Sequence, residues 1–346
     1  MSMVGWQNAR RRLSAHRHRM PVRPLIVRLR NWIGDVILGV PALQLLADHG
    51  YELNLFGKPW APQLLAGYDW PVVVRAARLG TRLTQLRAMR AAACATDPQF
   101  DRRENALTLA HSFSAAAELR LAGLRAVGYS REGRGFLLRR SEPISLGGHA
   151  LVSYWELACR FLRIEQPPPT AIDLPTRTSD QQRADALIAG HGLASGGFVV
   201  VCPFAGGLFE KAEKRWPAFP EFTRRLLQRG HAVVICPGPG DEGVVQTDYP
   251  GVAAIGGIDL GVYGAILRRC ALMVSNDTGP AHLAAAVGAR VLGVLGPTKP
   301  EQWAPWGPSV TLVQRPQPPA GVAWPDVDDV LQRTLDAVRS KSEAGR

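Results

Sequence analysis

Apolar residues in this chain fall into two alternating patterns. Short unbroken runs, such as Leu25-Ile26-Val27, Val199-Val200-Val201 and Val233-Val234-Ile235, have no polar face and read as strands covered on both sides. Between them lie stretches whose apolar positions recur every three or four residues, the period of a helix with one buried face. The pattern predicts a strand at 24–30, a helix at 35–49 and a strand at 51–56, then helical periodicity at 81–95 and 114–121. A proline-rich segment at 166–175 breaks the alternation and reads as a linker. The alternation then restarts with helix 179–190, strand 198–203, helix 217–229, strand 232–236, strand 271–274, a small-residue helix and strand 290–295. A second proline-rich stretch, 315–325, leads to a last helix at 327–340, whose acidic entry suits the positive end of a helix. Such alternation implies parallel sheets covered by helices. The chain therefore divides into a basic arm (1–20), two doubly wound Rossmann-like domains (21–175 and 176–320) and a C-terminal helix with a polar tail (321–346). In these sheets ligands bind outside the carboxyl ends of the strands, so chemistry is expected in a cleft between the domains.

Composition narrows the class. A chain of 346 residues is too long for one ordinary core. No window approaches the roughly 20 uninterrupted apolar residues of a membrane span, and the basic start has no apolar segment of the signal-peptide kind. Cys94, Cys159, Cys202, Cys236 and Cys270 lack metal-ligand spacing and read as buried thiols in a reducing compartment. The net charge of +12 is lopsided: through Pro175 there are 24 Lys and Arg against 13 Asp and Glu, and beyond it 17 against 16. Arginine suits phosphate and carboxylate groups because its planar fork makes paired hydrogen bonds. The N-terminal half is therefore expected to face something acidic: nucleic acid, an anionic membrane or an anionic glycolipid. Nucleic acid fits worst, since aromatic residues do not interleave with the basic ones and no binding motif is present. Arg75, Arg78 and Arg82 recur at helical spacing, with Arg87 and Arg90 beyond, and are the candidates for meeting that acidic partner.

Three sites carry candidate chemistry. The run from Val274 to Ala286 contains Asn276-Asp277-Thr278-Gly279-Pro280-Ala281-His282, a polar turn between a strand and a helix. Backbone N–H groups at Thr278 and Gly279 lie where a helix begins, a place that attracts anions, and Gly296-Pro297-Thr298 opens a neighbouring strand end. Together they look like a diphosphate cradle with one imidazole. Asp35, at the first strand-to-helix turn, either takes a proton from a hydroxyl nucleophile or caps its own helix. The turn lacks the G-x-G-x-x-G spacing of a dinucleotide site. After the strand ending near Pro203, a glycine-rich turn leads to Lys211, Lys214 and Arg215, cations within reach of a phosphate. The turn after Cys236 offers Asp241 and Glu242, which either accept hydrogen bonds from ribose hydroxyls or cap the next helix.

Three patches in this order, Asn31-Trp32-Ile33-Gly34-Asp35, Lys214-Arg215-Trp216-Pro217, and Asp277-Thr278-Gly279-Pro280-Ala281-His282 running on to Gly296-Pro297-Thr298, resemble the bacterial glycosyltransferase family that includes lipopolysaccharide heptosyltransferases. Ser112-Phe113-Ser114-Ala115-Ala116, Gly128-Tyr129 and Arg134-Gly135 resemble its second-heptose type, with His111 where an asparagine is expected. The resemblance covers roughly residues 24–306. It implies a GT-B fold and inverting transfer of a heptose from an ADP-activated donor, without metal or cofactor. Asp35 becomes the general base and Lys214 the cation on the departing diphosphate. Thr278, Gly279 and His282 bind the donor's phosphates, Asp277 the sugar hydroxyls, and Glu242, with Asp241 as substitute, the ribose. Ser112, Arg75, Arg78 and Arg82 belong to the acceptor side. The implied partners are ADP-heptose, an anionic inner-core lipopolysaccharide and, transiently, the cytoplasmic face of the inner membrane, met by a monomer that binds no nucleic acid. A transferase using another nucleotide sugar, or a nucleotide-sugar epimerase on the same scaffold, is the competing expectation. An epimerase has no need of an acidic-acceptor surface.

Overall fold

The structure, a computed structural model, describes residues 23–344 apart from Leu146 and Pro319; the basic arm expected at 1–20 lies outside the described residues. The first domain runs through β1 (Arg23–Arg28), α1 (Ile33–Asp48), β2 (Tyr51–Gly57), α2 (Ala61–Leu64), β3 (Val72–Val74), α3 (Leu79–Thr96), β4 (Ala106–Thr108), α4 (Phe113–Leu121), β5 (Ala126–Tyr129), β6 (Arg140–Glu142) and α5 (Ala150–Leu162). Its six parallel strands are ordered β3-β2-β1-β4-β5-β6.

An irregular segment carrying the expected linker joins it to the second domain. That domain contains α6 (Thr178–Gly190), β7 (Phe198–Cys202), the hairpin β8 (Leu208–Phe209) and β9 (Ala212–Glu213), α7 (Phe219–Gln228), β10 (Ala232–Ile235), α8 (Glu242–Asp248), β11 (Ala253–Ala254), α9 (Leu260–Arg269), β12 (Leu272–Ser275), α10 (Gly279–Ala286), β13 (Val291–Leu295), α11 (Pro300–Trp303), β14 (Val310–Gln314) and α12 (Val327–Ala344). Its order is β11-β10-β7-β12-β13-β14, the same winding as the first sheet. In each sheet the order reverses beside the first strand, and ligands of such folds sit at that switch point.

Burial explains the winding. β1 and β7 are central strands, and every β7 residue is buried; a Val or Leu so covered contributes about 1.5–3 kcal/mol. α1 is apolar almost all round because the sheet, α5 and α10 each cover part of it. α12 packs through Val330 and Leu331 onto the core of the second sheet, so the C-terminal helix is a layer of that domain. Cys159, Cys202, Cys236 and Cys270 are buried, and Cys94 is half-buried. Among the described residues, no helix is long and apolar enough to cross a membrane.

The domains touch where α1 and α10 begin. A Cβ on Gly34 would stand 2.7 Å from the His282 ring, and one on Gly279 would stand 2.9 Å from Ile33 Cβ. Any side chain at either position forces the helix starts apart, so these two glycines set the closest approach of the domains. Beside them His149 Nε2 lies 3.0 Å from the Ala304 carbonyl and Trp306 Nε1 donates to the Pro169 carbonyl.

Candidate active site

Asp35 lies in the first turn of α1 but does not cap it. The N-cap is Trp32, in extended conformation and without a side-chain cap bond. The capping alternative therefore falls, and the carboxylate points into a polar network. Tyr154 OH, on α5, donates to Asp35 Oδ1 at 2.8 Å, and Arg30 Nη2 donates to the same oxygen at 3.4 Å. Oδ2 has no hydrogen bond among the described residues. Burial, followed by the Asp35 charge, pushes the Tyr154 phenol well above its ordinary range, so Tyr154 stays a donor. Asp35 itself is 9% exposed. One oxygen is thus held in place while the other remains available to a proton.

His111, just beyond β4, packs edge-on to Tyr129 with ring centroids 5.8 Å apart and lies near Tyr154. Burial, with Arg30, Arg134 and Arg131 nearby, pushes its imidazole down to about 3, and Nε2 has no partner. A folded-state value below the ordinary 6.5 means the unfolded chain binds the proton first, so this contribution is complete above pH 6.5 and is lost as pH falls toward 3. Between pH 6.5 and 5 the loss is about 2 kcal/mol. His111→Asn is expected to flatten the fall in thermal midpoint over that interval; an unchanged fall would remove His111 as its source.

Across the contact lies the second half of the site. Thr278 is the N-cap of α10 and makes no side-chain cap bond, and Pro280 follows in the first turn. Because proline has no N–H, the donors at this helix start are those of Thr278 and Gly279. Lys214 Nζ donates to the Asp277 carbonyl at 3.2 Å and stands 4.0 Å from Asp277 Oδ2. His282 Nε2 lies 3.8 Å from Asp277 Oδ1, and its Nδ1 is buried without a partner. Asp277 thus sits between the two candidate phosphate ligands, bonded to Lys214 through its carbonyl and with its carboxylate within 4.0 Å of both. Asn276, fully buried, accepts from Trp216 N–H at 2.8 Å and donates to the Pro203 carbonyl at 2.9 Å. It ties the Lys214 loop to the end of β12. The glycine-rich turn at 203–207 is irregular, and between it and Lys214 lies the β8–β9 hairpin, turned through Glu210 and Lys211 at φ 47° and 71°. Trp216 is core, and α7 begins three residues later.

Asp241 and Glu242 stand at the start of α8, on the same edge of the sheet. Asp241 occupies the N-cap without capping; Glu242 Oε2 accepts from Gly240 N–H at 2.8 Å, leaving its other oxygen open. Ser112 is the N-cap of α4, its Oγ accepting from Ala115 N–H. The expected helical spacing of Arg75, Arg78 and Arg82 does not hold. Arg75 follows β3 and Arg78 is the exposed N-cap of α3, so only Arg82 is helical. Tertiary structure nonetheless brings Arg75 and Arg82 together with buried Arg28 around Glu118, Arg82 Nε at 2.9 Å and the other two at 3.9 Å. Three guanidinium groups share one carboxylate. Burial and then Arg75 push Arg28 down to about 10, the mark of an under-neutralised cation cluster. Asn31, four positions before Asp35 in the chain, accepts from both Arg28 and Arg75.

Sequence reasoning missed Tyr154, Arg30, Asn276 and Glu118. The period of apolar residues Leu151, Tyr154, Trp155 and Ala158 after His149 marks α5 as a helix, which is the signal for Tyr154. Glu118 carries no local signal, because it meets its arginines only in three dimensions.

The second domain can hold a diphosphate through one ammonium group, one imidazole and a helix start, while the first presents a free carboxylate oxygen backed by a cationic cluster. Known proteins bear on what such a pair does. A stretch of 147 residues is 28% identical to lipopolysaccharide heptosyltransferase 3 of Escherichia coli, covering 40% of this chain and 41% of that protein. Another of 124 residues is 29% identical to lipooligosaccharide heptosyltransferase 2 of Haemophilus influenzae, covering 33% and 35%. The matched stretches thus span less than half of these curated relatives. The structure of E. coli ADP-heptose lipopolysaccharide heptosyltransferase II superposes with a TM-score of 0.75 at 18% identity, over 93% of this chain and 100% of that one, which establishes the GT-B fold. The family model for glycosyltransferase family 9 (heptosyltransferase) matches residues 99–321, well over half the sequence, and the chain belongs to that family.

Proposed function

We propose that this protein transfers a heptose from ADP-heptose to a hydroxyl of an anionic inner-core lipopolysaccharide acceptor, inverting the anomeric centre without a metal. One observation carries the reading: a carboxylate with one uncommitted oxygen and a lysine with a helix N-terminus lie on opposite domains, joined where Gly34 packs on His282.

Asp35 Oδ2 takes the proton of the acceptor hydroxyl as that oxygen bonds to the anomeric carbon. The bond from that carbon to the diphosphate oxygen breaks on the far side, and the electron pair leaves with ADP. Displacement in one step inverts the centre. As the bond breaks the diphosphate gains negative charge, which Lys214 and the N–H groups of Thr278 and Gly279 stabilise more in the transition state than before it. His282 donates to a phosphate oxygen. Asp277 orients Lys214 and His282 and reaches the sugar hydroxyls, a place for a carboxylate that is repelled by phosphate. Glu242, with Asp241 beside it, holds the ribose. The acceptor's acidic groups meet Arg75, Arg82 and Arg78, with Ser112 at the edge. The enzyme acts as a monomer in transient contact with the cytoplasmic face of the inner membrane.

Calorimetry with a panel of nucleoside diphosphates tests the donor half. ADP is expected to bind more tightly than UDP or GDP; UDP preference would favour a different nucleotide sugar, and no binding would defeat the reading. Tyr154→Phe tests the base. Loss of the bond that aims the Asp35 carboxylate should slow transfer several-fold while ADP affinity stays parental. Parental turnover would show that Tyr154 does not position Asp35.

A further inference from the structure

Six arginines of the first domain converge away from the proposed active site. Arg23, Arg102, Arg103, Arg125, Arg139 and Arg163 line an open cleft of about 520 Å³, together with His49 and the sole carboxylate, Glu104. Arg23 opens β1, Arg102 and Arg103 precede β4, and Arg125 and Arg139 immediately precede β5 and β6. Because the sheet is parallel, these positions share its amino edge, about 20 Å along β1 from the edge that carries Asp35.

The charge of this cleft is not balanced internally. Glu104 is already taken by a two-pronged contact from Arg140, at 2.8 Å for each oxygen. Arg103 pairs with Asp97, and Arg125 donates to the Asp101 carbonyl at 3.0 Å. Arg102, Arg139 and Arg163 form no ion pair with a carboxylate among the described residues, and Arg23 shares the field of Asp97 with Arg103. The C-termini of α1 and α5 end beside the cleft at His49 and Arg163, and their partial negative charge makes the cations tolerable when nothing is bound. It does not neutralise them. Arg163 adds a second, independent observation: it holds φ 60° and ψ 45°, the left-handed region where glycine is freer and other side chains are strained. Arg163 is exposed at this C-cap of α5 and lines the cleft.

We propose that this amino-edge cleft is a second anion site, distinct from the donor cradle, that takes a ligand bearing two or more phosphate groups. The volume suits a small ligand, and converging guanidinium forks match phosphate oxygens in pairs. Lipid headgroups and free phosphorylated molecules share this chemistry.

The test uses the full chain, with inorganic pyrophosphate in calorimetry and phosphatidylglycerol vesicles in co-sedimentation. The variant Arg102→Ala/Arg139→Ala/Arg163→Ala is expected to lose pyrophosphate affinity at least ~10-fold at one site, with ADP affinity and transfer rate unchanged. Lys214→Ala should retain that site. Vesicle binding lost in the triple variant assigns the ligand to a lipid surface; pyrophosphate binding without vesicle binding assigns it to a free phosphorylated molecule. Arg163→Gly relieves backbone strain at φ 60°: it should raise the thermal midpoint while weakening pyrophosphate. Equal pyrophosphate affinity in the parent and triple variant, or a parent that binds neither probe, would overturn the proposal. Neither pyrophosphate binding nor vesicle binding requires heptose transfer, so these two stand or fall apart from the donor and base assignments.

Discussion

Asp35→Asn is expected to lower kcat by about 10²–10⁴-fold, the range of a general base, while ADP affinity changes little. The side chains are nearly the same size, and the amide can still accept from Tyr154 through its oxygen. What is lost is the oxygen able to take the acceptor proton. The contrast matters because Asp35 is buried beside Arg30 and Tyr154. Asp35→Ala would leave the guanidinium and the phenol facing a void and confound chemistry with packing. A variant with parental thermal midpoint, parental ADP affinity and collapsed turnover separates the two. Near-parental turnover would instead make Asp35 a structural partner of Arg30.

Lys214→Ala has the second large effect. Removing one preorganised stabiliser of a developing anion costs about 10²–10³ in kcat, and a charge-assisted hydrogen bond contributes about 1.5–3 kcal/mol, so ADP should bind at least ~10-fold more weakly. Part of this loss comes from Asp277, whose carboxylate stands 4.0 Å from the ammonium and would face the diphosphate alone once the lysine is gone. Lys214→Ala/Asp277→Asn is therefore expected to bind ADP more tightly than Lys214→Ala. Additive losses in the double variant would show that Asp277 supports ADP binding by itself and does not repel the diphosphate. Stopped-flow turnover and calorimetry on the same preparations read both effects.

Much of the architecture was legible because local pattern and fold agree. Buried valine runs at β7 and β10 have one plausible fate, and the Asp277–His282 run names its own turn and helix. The strand end and helix start at Asp277–His282 were readable for the same reason: their residues are consecutive, so sequence order is also spatial order. The acceptor side was not. Arg75 and Arg82 suggested one helix face but come from a strand end and a helix, and what unites them with Arg28 is Glu118, brought in from α4 by the sheet order. Likewise Tyr154 reaches Asp35 across 119 positions, and the amino-edge arginines are scattered over the whole first domain. Parallel sheets gather distant residues at each edge, and no local period records which will meet. The β8–β9 hairpin escaped for another reason: with two residues per strand, it is too short for any alternation to appear.

The most direct measurement is mass analysis of the products when purified protein is incubated with ADP-heptose and a heptose-deficient inner-core acceptor. Addition of one heptose to the acceptor, with release of one ADP per transfer and none of either with Asp35→Asn, is the predicted result. Release of ADP and free heptose with an unmodified acceptor, or transfer only from another nucleotide sugar, would contradict it.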